Sequence, residues 1–176
     1  PRGHILRIAA SLPFQPGQVI GLALSAGDSP RWYSIASPPG RDCMEVFYTV
    51  VDEGELTPAL SRLDQADSLW VWPPRGQFID SFGDVPTWWI ANGTGVAPFA
   101  SMFRAGMGRG RHLVQGSRTL AEAWNHEEFS MGREGFTHHL CLSSPETMPA
   151  KGAGIWNGRL TSWLSHELPR QLGPRD

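Results

Sequence analysis

The chain has 176 residues, 40% hydrophobic and 18% charged, with a net charge of −2. That length allows one domain or two small lobes sharing an interface, and the small charge gives no reason to expect nucleic acid or an anionic membrane surface as a partner. The longest apolar runs are about five residues, far short of the roughly 20 needed to span a bilayer. With no basic-then-apolar leader at its start, the chain reads as cytoplasmic, without membrane insertion.

The first half reads as strands. Residues 4–10, 18–24, 31–37, 44–51 and 68–72 are short runs rich in Val, Ile, Leu and aromatics, separated by Pro, Gly, Asp and Ser. Many short strands with such turns predict a small antiparallel β-barrel or sandwich. One helix interrupts them, with Thr57 as its cap, Pro58 in its first turn, and Leu56, Leu60 and Leu63 at helical spacing.

The second half changes period. Residues 87–91 form a buried-looking strand, a Gly-rich turn follows, and a helix is expected over 98–107. Strands at 111–115 and 138–142 alternate with helices at 119–129 and 159–168. Such alternation predicts a parallel sheet with right-handed crossovers. The domains are therefore expected at 1–82, a β-barrel, and 83–176, an α/β unit.

Two segments carry chemistry. In Arg31-Trp32-Tyr33-Ser34, an arginine can hold a phosphate bidentately and a tyrosine ring can stack on a flat heterocycle. Arg31 and Tyr33 share a strand face, and Ser34 points the other way unless the strand bends. An ordinary barrel strand would show the same residues. Gly93-Thr94-Gly95 lies between a strand and a helix opened by Pro98, an arrangement in which backbone amides can approach a diphosphate. A plain strand-to-helix turn would use the same glycines.

In this order, the two segments resemble the flavin and nicotinamide signatures of the ferredoxin–NADP reductase family, in its compact bacterial form. The resemblance implies a flavin-binding barrel followed by an NADP-binding α/β domain. It implies that Arg31 binds the flavin diphosphate, that Tyr33 stacks on the isoalloxazine, and that Ser34 lies near its N5, which makes Tyr33 and Ser34 the residues closest to the chemistry. Trp32 belongs to the same cofactor-binding strand. Phe47, Tyr48, Thr49 and Val50 match the family's next strand beside the flavin. Gly54, Glu55, Leu56 and Thr57 resemble its second phosphate loop, with Thr57 placed for the diphosphate. Gly93, Thr94, Gly95 and Pro98 match the nicotinamide nucleotide loop, with Thr94 also reaching the flavin side. Ser117 with Arg118, and Arg159, resemble segments gripping the 2′-phosphate of NADP.

The chain also departs from the family pattern. Ser144, in Ser143-Ser144-Pro145-Glu146, stands where a third arginine often lies. The terminal strand carrying Cys-Gly-Asn-Pro is absent, and the first barrel strand is short or absent.

The implied activity is that of an FAD-dependent oxidoreductase. Hydride passes between NADP(H) and flavin N5, with one-electron exchange to ferredoxin or flavodoxin. The alternatives are a flavin or oxygenase reductase component, or a non-catalytic flavin-binding or regulatory module. Two cysteines, Cys43 and Cys141, are too few for a four-thiolate cluster and read as inert thiols. No metal is expected, because His138 and His139 are adjacent on a strand and face opposite ways. Arg104, Arg109 and Arg111 flank a Gly-rich turn, as a solvated turn or as a dock for an acidic carrier.

Overall fold

The structure is a computed structural model that describes residues 3–83, 85–144 and 154–173. Pro145 and Glu146 lie outside the described residues. The chain divides into two compact units. The first takes residues up to 83 together with 97–107, and the second takes the remainder.

The first unit is antiparallel. Its strands are β1 (Gly3–Ile8), β2 (Val19–Ala23), β3 (Arg31–Ser34), β4 (Met44–Thr49) and β5 (Trp70–Arg75). β2 pairs with both β3 and β5, and β1 pairs with β4. A single antiparallel bridge, Ile35 to Val46, joins the two sheets. The resulting order is β5-β2-β3-β4-β1, an open barrel. Alternate residues point inward, as the pleat requires, so Ile20, Leu22, Val46 and Tyr48 meet in one core.

Helix α1 (Leu56–Leu60) follows β4. Thr57 is its second residue, not its cap. Glu55 occupies the cap position, without a side-chain cap bond.

Helix α2 (Ala97–Arg104) packs with the barrel, although the sequence placed it in the second lobe. It starts one residue before the expected Pro98 and ends three residues early. Seven of its eight residues are buried, the pattern of a helix enclosed on all sides. The Ser101 hydroxyl donates to the Ser37 carbonyl at 2.7 Å. Arg104 donates to the Ala36 carbonyl at 3.2 Å and pairs with Glu45 at 3.1 Å. Arg111, in the second unit, is only 2% exposed and donates to the Val85 and Arg109 carbonyls. Arg104 and Arg111 are thus structural, and of the expected basic trio only Arg109 remains as a solvated-turn residue.

The second unit holds β6 (Thr87–Asn92), β7 (Arg111–Ser117), β8 (Phe136–Leu142) and β9 (Ile155–Asn157), parallel and in that order. β9 is absent from the sequence-based expectation. One face packs Val114, Cys141 and Trp163 with Trp88 and Leu160, and the other packs Ala123, Leu140 and Leu142 with Leu120.

The helix expected over 119–129 is broken into a 3-10 turn, Leu120–Glu122, and α3 (His126–Met131). The break falls at Asn125, whose φ of +65° leaves the helical region, a conformation Asn tolerates better than most residues. The last expected helix is α4 (Leu160–His166) followed by α5 (Leu168–Leu172). No helix among the described residues is long and apolar enough to cross a membrane.

Candidate functional site

β3 and β4 touch at the Ile35–Val46 bridge and part beyond it. The opening is a wedge-shaped cavity of about 930 Å³, wholly inside the first unit. Arg31, Trp32 and Tyr33 line one side, and the turn Gly54-Glu55-Leu56-Thr57 lines the other. Arg31 and Tyr33 sit two residues apart on one strand, so both face the opening. Burial raises the Tyr33 hydroxyl above its ordinary range, while the nearby Arg31 charge pulls it down. A neutral ring and a permanent cation therefore share the cavity. Among the described residues Arg31 has no carboxylate partner. The Arg75 guanidinium lies over the Trp32 ring, 3.4 Å from its centroid.

The turn across from Arg31 is held by its own backbone. The Gly54 amide donates to the Val51 carbonyl at 2.8 Å. Thr57 Oγ1 accepts from the Val51 amide at 2.9 Å. The Thr57 oxygen thus closes the turn through one lone pair, and its hydroxyl proton remains to donate to a ligand.

In the second unit the other expected residues collect at the carboxyl edge of the parallel sheet. Gly93, with φ +54°, opens a 3-10 turn, Gly93–Val96, directly after β6. A side chain there would be strained. The Ser143 amide donates to the Ser117 carbonyl at 3.0 Å, and the Ser144 amide to the Arg118 carbonyl at 2.9 Å. These bonds zip together the chain ends leaving β7 and β8. Arg159 stands immediately before α4, after β9. Since β7 and β9 flank β8, the segments bearing Arg118 and Arg159 leave strands roughly 10 Å apart. Both arginines are exposed. This edge is where open parallel sheets bind nucleotides.

No family model matches the chain. It is 31% identical over 172 residues to ferredoxin–NADP reductase B of Sorangium cellulosum, covering 90% of this chain and 68% of that protein. The chain belongs to the ferredoxin–NADP reductase family. It is also 34% identical over 137 residues to the phenol 2-monooxygenase reductase component DmpP of a Pseudomonas strain, covering 73% of this chain and 38% of that protein. Among solved structures, a Neisseria gonorrhoeae ferredoxin NADP+ reductase with bound FAD and NADP superposes with a TM-score of 0.81 at 19% identity. That match covers 97% of this chain and 72% of the other. The family's fold, a barrel followed by an α/β unit, is the fold observed here.

Several residues expected at the site lie elsewhere. Phe47 and Tyr48 are buried, and neither they nor Thr49 and Val50 line the wedge; Val51 does. Strand alternation explains this: Tyr48 points into the core, and the Phe47 ring covers Gly3 on the opposite side. Ser34 pairs with Val19 and does not line the wedge either. Pro98 is buried inside α2. Cys141 is buried, its thiol pushed up to about 12 by burial, and Cys43 is a free thiol. His138 and His139 face opposite sides of the sheet: His138 contacts Gln115 and Ser130, while His139 stacks on Trp88 and packs tilted against Trp163.

The sequence reading missed Asn92 and its closure over Gly116. The two residues are paired across β6 and β7, and a Cβ on Gly116 would lie 2.8 Å from Asn92 Oδ1 and 3.0 Å from Leu160 Cβ. Gly116 therefore lets three segments close together: the one entering Gly93, the one entering Ser117, and the one leaving Arg159. Its place directly before Ser117-Arg118 was the available signal.

Proposed function

We propose that this chain is the flavin- and nucleotide-binding part of an FAD-dependent NADP(H) reductase that exchanges single electrons with ferredoxin or flavodoxin. The observation that carries this reading is the convergence of Arg31 and Tyr33 on one wedge, faced by a turn whose backbone is already closed. The donor set suits a flavin nucleotide: a cation for its diphosphate and an aromatic ring for its isoalloxazine. FAD, when bound, supplies the hydride and one-electron chemistry.

The protein's part is positional. Arg31 fixes the diphosphate, Tyr33 bears the ring, and the Gly54–Thr57 turn sets the depth of the wedge. Arg118 and Arg159 hold the 2′-phosphate of NADP(H), and Ser117 and Ser144 offer hydroxyl groups beside it. The site requires no protein nucleophile or general base, and Tyr33 remains protonated at neutral pH. Residues 1–82 are read as the FAD-binding barrel and 83–176 as the NADP-binding domain, with α2 packed on the former.

The likeness to the phenol 2-monooxygenase reductase component favours a second reading, in which the electron acceptor is an oxygenase rather than a free carrier. Anaerobic titration of the flavin-reconstituted protein tests the main proposal. Yellow colour bleached by NADPH supports it, and a yellow protein inert to both nicotinamide nucleotides identifies a binding module instead. Turnover with ferredoxin or flavodoxin, compared with an oxygenase, separates the two acceptors.

A further inference from the structure

The sheet holds Tyr33 on one side only, through its register partner Ile20 of β2. Beyond the Ile35–Val46 bridge, β3 has no ladder to β4, so side-chain packing must fix the ring's plane. Tyr33 packs against the barrel core, and its ring partner there is Tyr48. The two rings meet edge to face, with centroids 6.4 Å apart and planes at 76°, the arrangement that aromatic quadrupoles favour.

Tyr48 is itself fixed on two sides. It is only 4% exposed and sits in the barrel core with Ile20, Leu22 and Val46. Across β1 and β4, His4 is its register partner, and the His4 ring stacks on it at 5.5 Å and 30°. Tyr33 lines the wedge, whereas His4 and Tyr48 line a separate groove of about 850 Å³ on the β1 side. The three rings form a continuous row from that groove to the wedge.

We infer that Tyr48, backed by His4, is a positioning residue that sets the plane of the Tyr33 ring and thereby the flavin's stacking and reduction potential. The inference rests on the reading that Tyr33 bears the flavin. Tyr48 acts by shape: its hydroxyl is held above its ordinary range by burial, so it brings no charge. A smaller aliphatic side chain at 48 leaves the Tyr33 ring free to tilt, and a phenyl ring does not.

The test compares Tyr48→Phe, Tyr48→Leu and His4→Ala in the full chain reconstituted with FAD. FAD affinity, visible absorption, flavin potential and melting temperature are read for each. Tyr48→Phe is expected to match the wild type in all flavin readouts. Tyr48→Leu is expected to weaken FAD about fivefold and to move both the absorption maxima and the potential. His4→Ala, at an exposed position, is expected to move them in the same direction by less.

A Tyr48→Leu protein with a lower melting temperature but an unmoved spectrum, potential and affinity overturns the inference, because the role is then core packing alone. Tyr48→Phe as damaging as Tyr48→Leu also overturns it, because the hydroxyl is then the active group. If Tyr48→Leu fails to fold, His4→Ala decides: an unmoved flavin spectrum and affinity overturn the row. A wild-type chain that takes up no flavin overturns the parent reading, whereas flavin binding indifferent to these variants overturns only this one.

Discussion

Thr57 Oγ1 accepts a hydrogen bond from the Val51 amide at 2.9 Å, tying the first turn of α1 to the segment that leaves β4. This bond holds one wall of the wedge in place. Thr57→Val replaces the hydroxyl with a methyl of similar size and leaves the Val51 amide without its partner. Val51 is exposed, so losing this part-buried bond costs about 0.5–1.5 kcal/mol. The melting temperature is expected to fall and FAD affinity to fall with it, while Thr57→Ser retains both. Thermal melts with and without FAD check this. A Thr57→Val protein with full stability and weakened FAD would instead make the hydroxyl a direct ligand contact.

Arg31 faces Thr57's turn across the wedge and has no carboxylate partner among the described residues. Its guanidinium is therefore available to a phosphate. Arg31→Ala removes a charge-assisted contact worth roughly 1.5–3 kcal/mol, or about ten- to a hundredfold in FAD affinity. Arg31→Lys keeps the charge but loses the planar fork, so it is expected to fall between. Titration followed by flavin fluorescence measures all three. An Arg31→Ala protein that binds FAD like the wild type would remove the diphosphate from this end of the wedge.

The site was legible where residue type and strand alternation agree. Arg31 and Tyr33 are two apart in a strand-like run, so a shared face follows from the pleat. The wedge was not legible, because it depends on β3 and β4 meeting at one bridge and then parting. Thr57 followed by Pro58 has the composition of a helix cap, and only the fold shows its hydroxyl turned back to Val51. β9 spans three residues, too few for alternation to show. The αL turn at Asn125 leaves the apolar period around it almost intact, so the helix there appeared continuous. The clasp of Asn92 over Gly116 arises from register between strands 24 residues apart, to which local pattern is blind.

Three histidines whose protonated forms burial disfavours are expected to make the second unit acid-sensitive. His138 is lowered from its ordinary 6.5 to about 4, mainly by burial and then by the charges of His126 and His139. It contacts Gln115 at 3.0 Å and Ser130 at 3.2 Å. His112 and His139 are also lowered, chiefly by burial. Above pH 6.5 both folded and unfolded chains hold His138 neutral, and stability does not depend on it. Between pH 6.5 and 4 the unfolded chain binds a proton that the folded chain refuses, so stability falls as pH falls. For His138 the whole loss is about 3 kcal/mol, complete near pH 4. Melting temperature against pH is expected to drop steeply across this window. His138→Gln, which never charges, is expected to flatten the drop by about one proton's worth. An unchanged slope in that variant would place the sensitivity elsewhere.

NADPH is expected to be preferred over NADH, and Arg118 to carry much of the difference. Arg118 leaves β7 and Arg159 follows β9, on either side of the chain leaving β8. Two guanidinium groups on one phosphate gain charge-assisted bonds that NADH cannot form. Between them stands Ser144, tied through its amide to the Arg118 carbonyl at 2.9 Å. A serine hydroxyl can donate to the phosphate but brings no charge, so a site with a third arginine there would discriminate about tenfold more for each 1.4 kcal/mol of added contact. Ser144→Arg is accordingly expected to sharpen the preference for NADPH. Arg118→Ala is expected to raise the KM for NADPH and to leave that for NADH nearly unchanged. Gly116→Ala makes the contrasting control, because its methyl would crowd Asn92 and Leu160 and so disturb the edge for both nucleotides alike. Equal losses with NADPH and NADH in Arg118→Ala would make that arginine a support of the β7 edge rather than a reader of the 2′-phosphate.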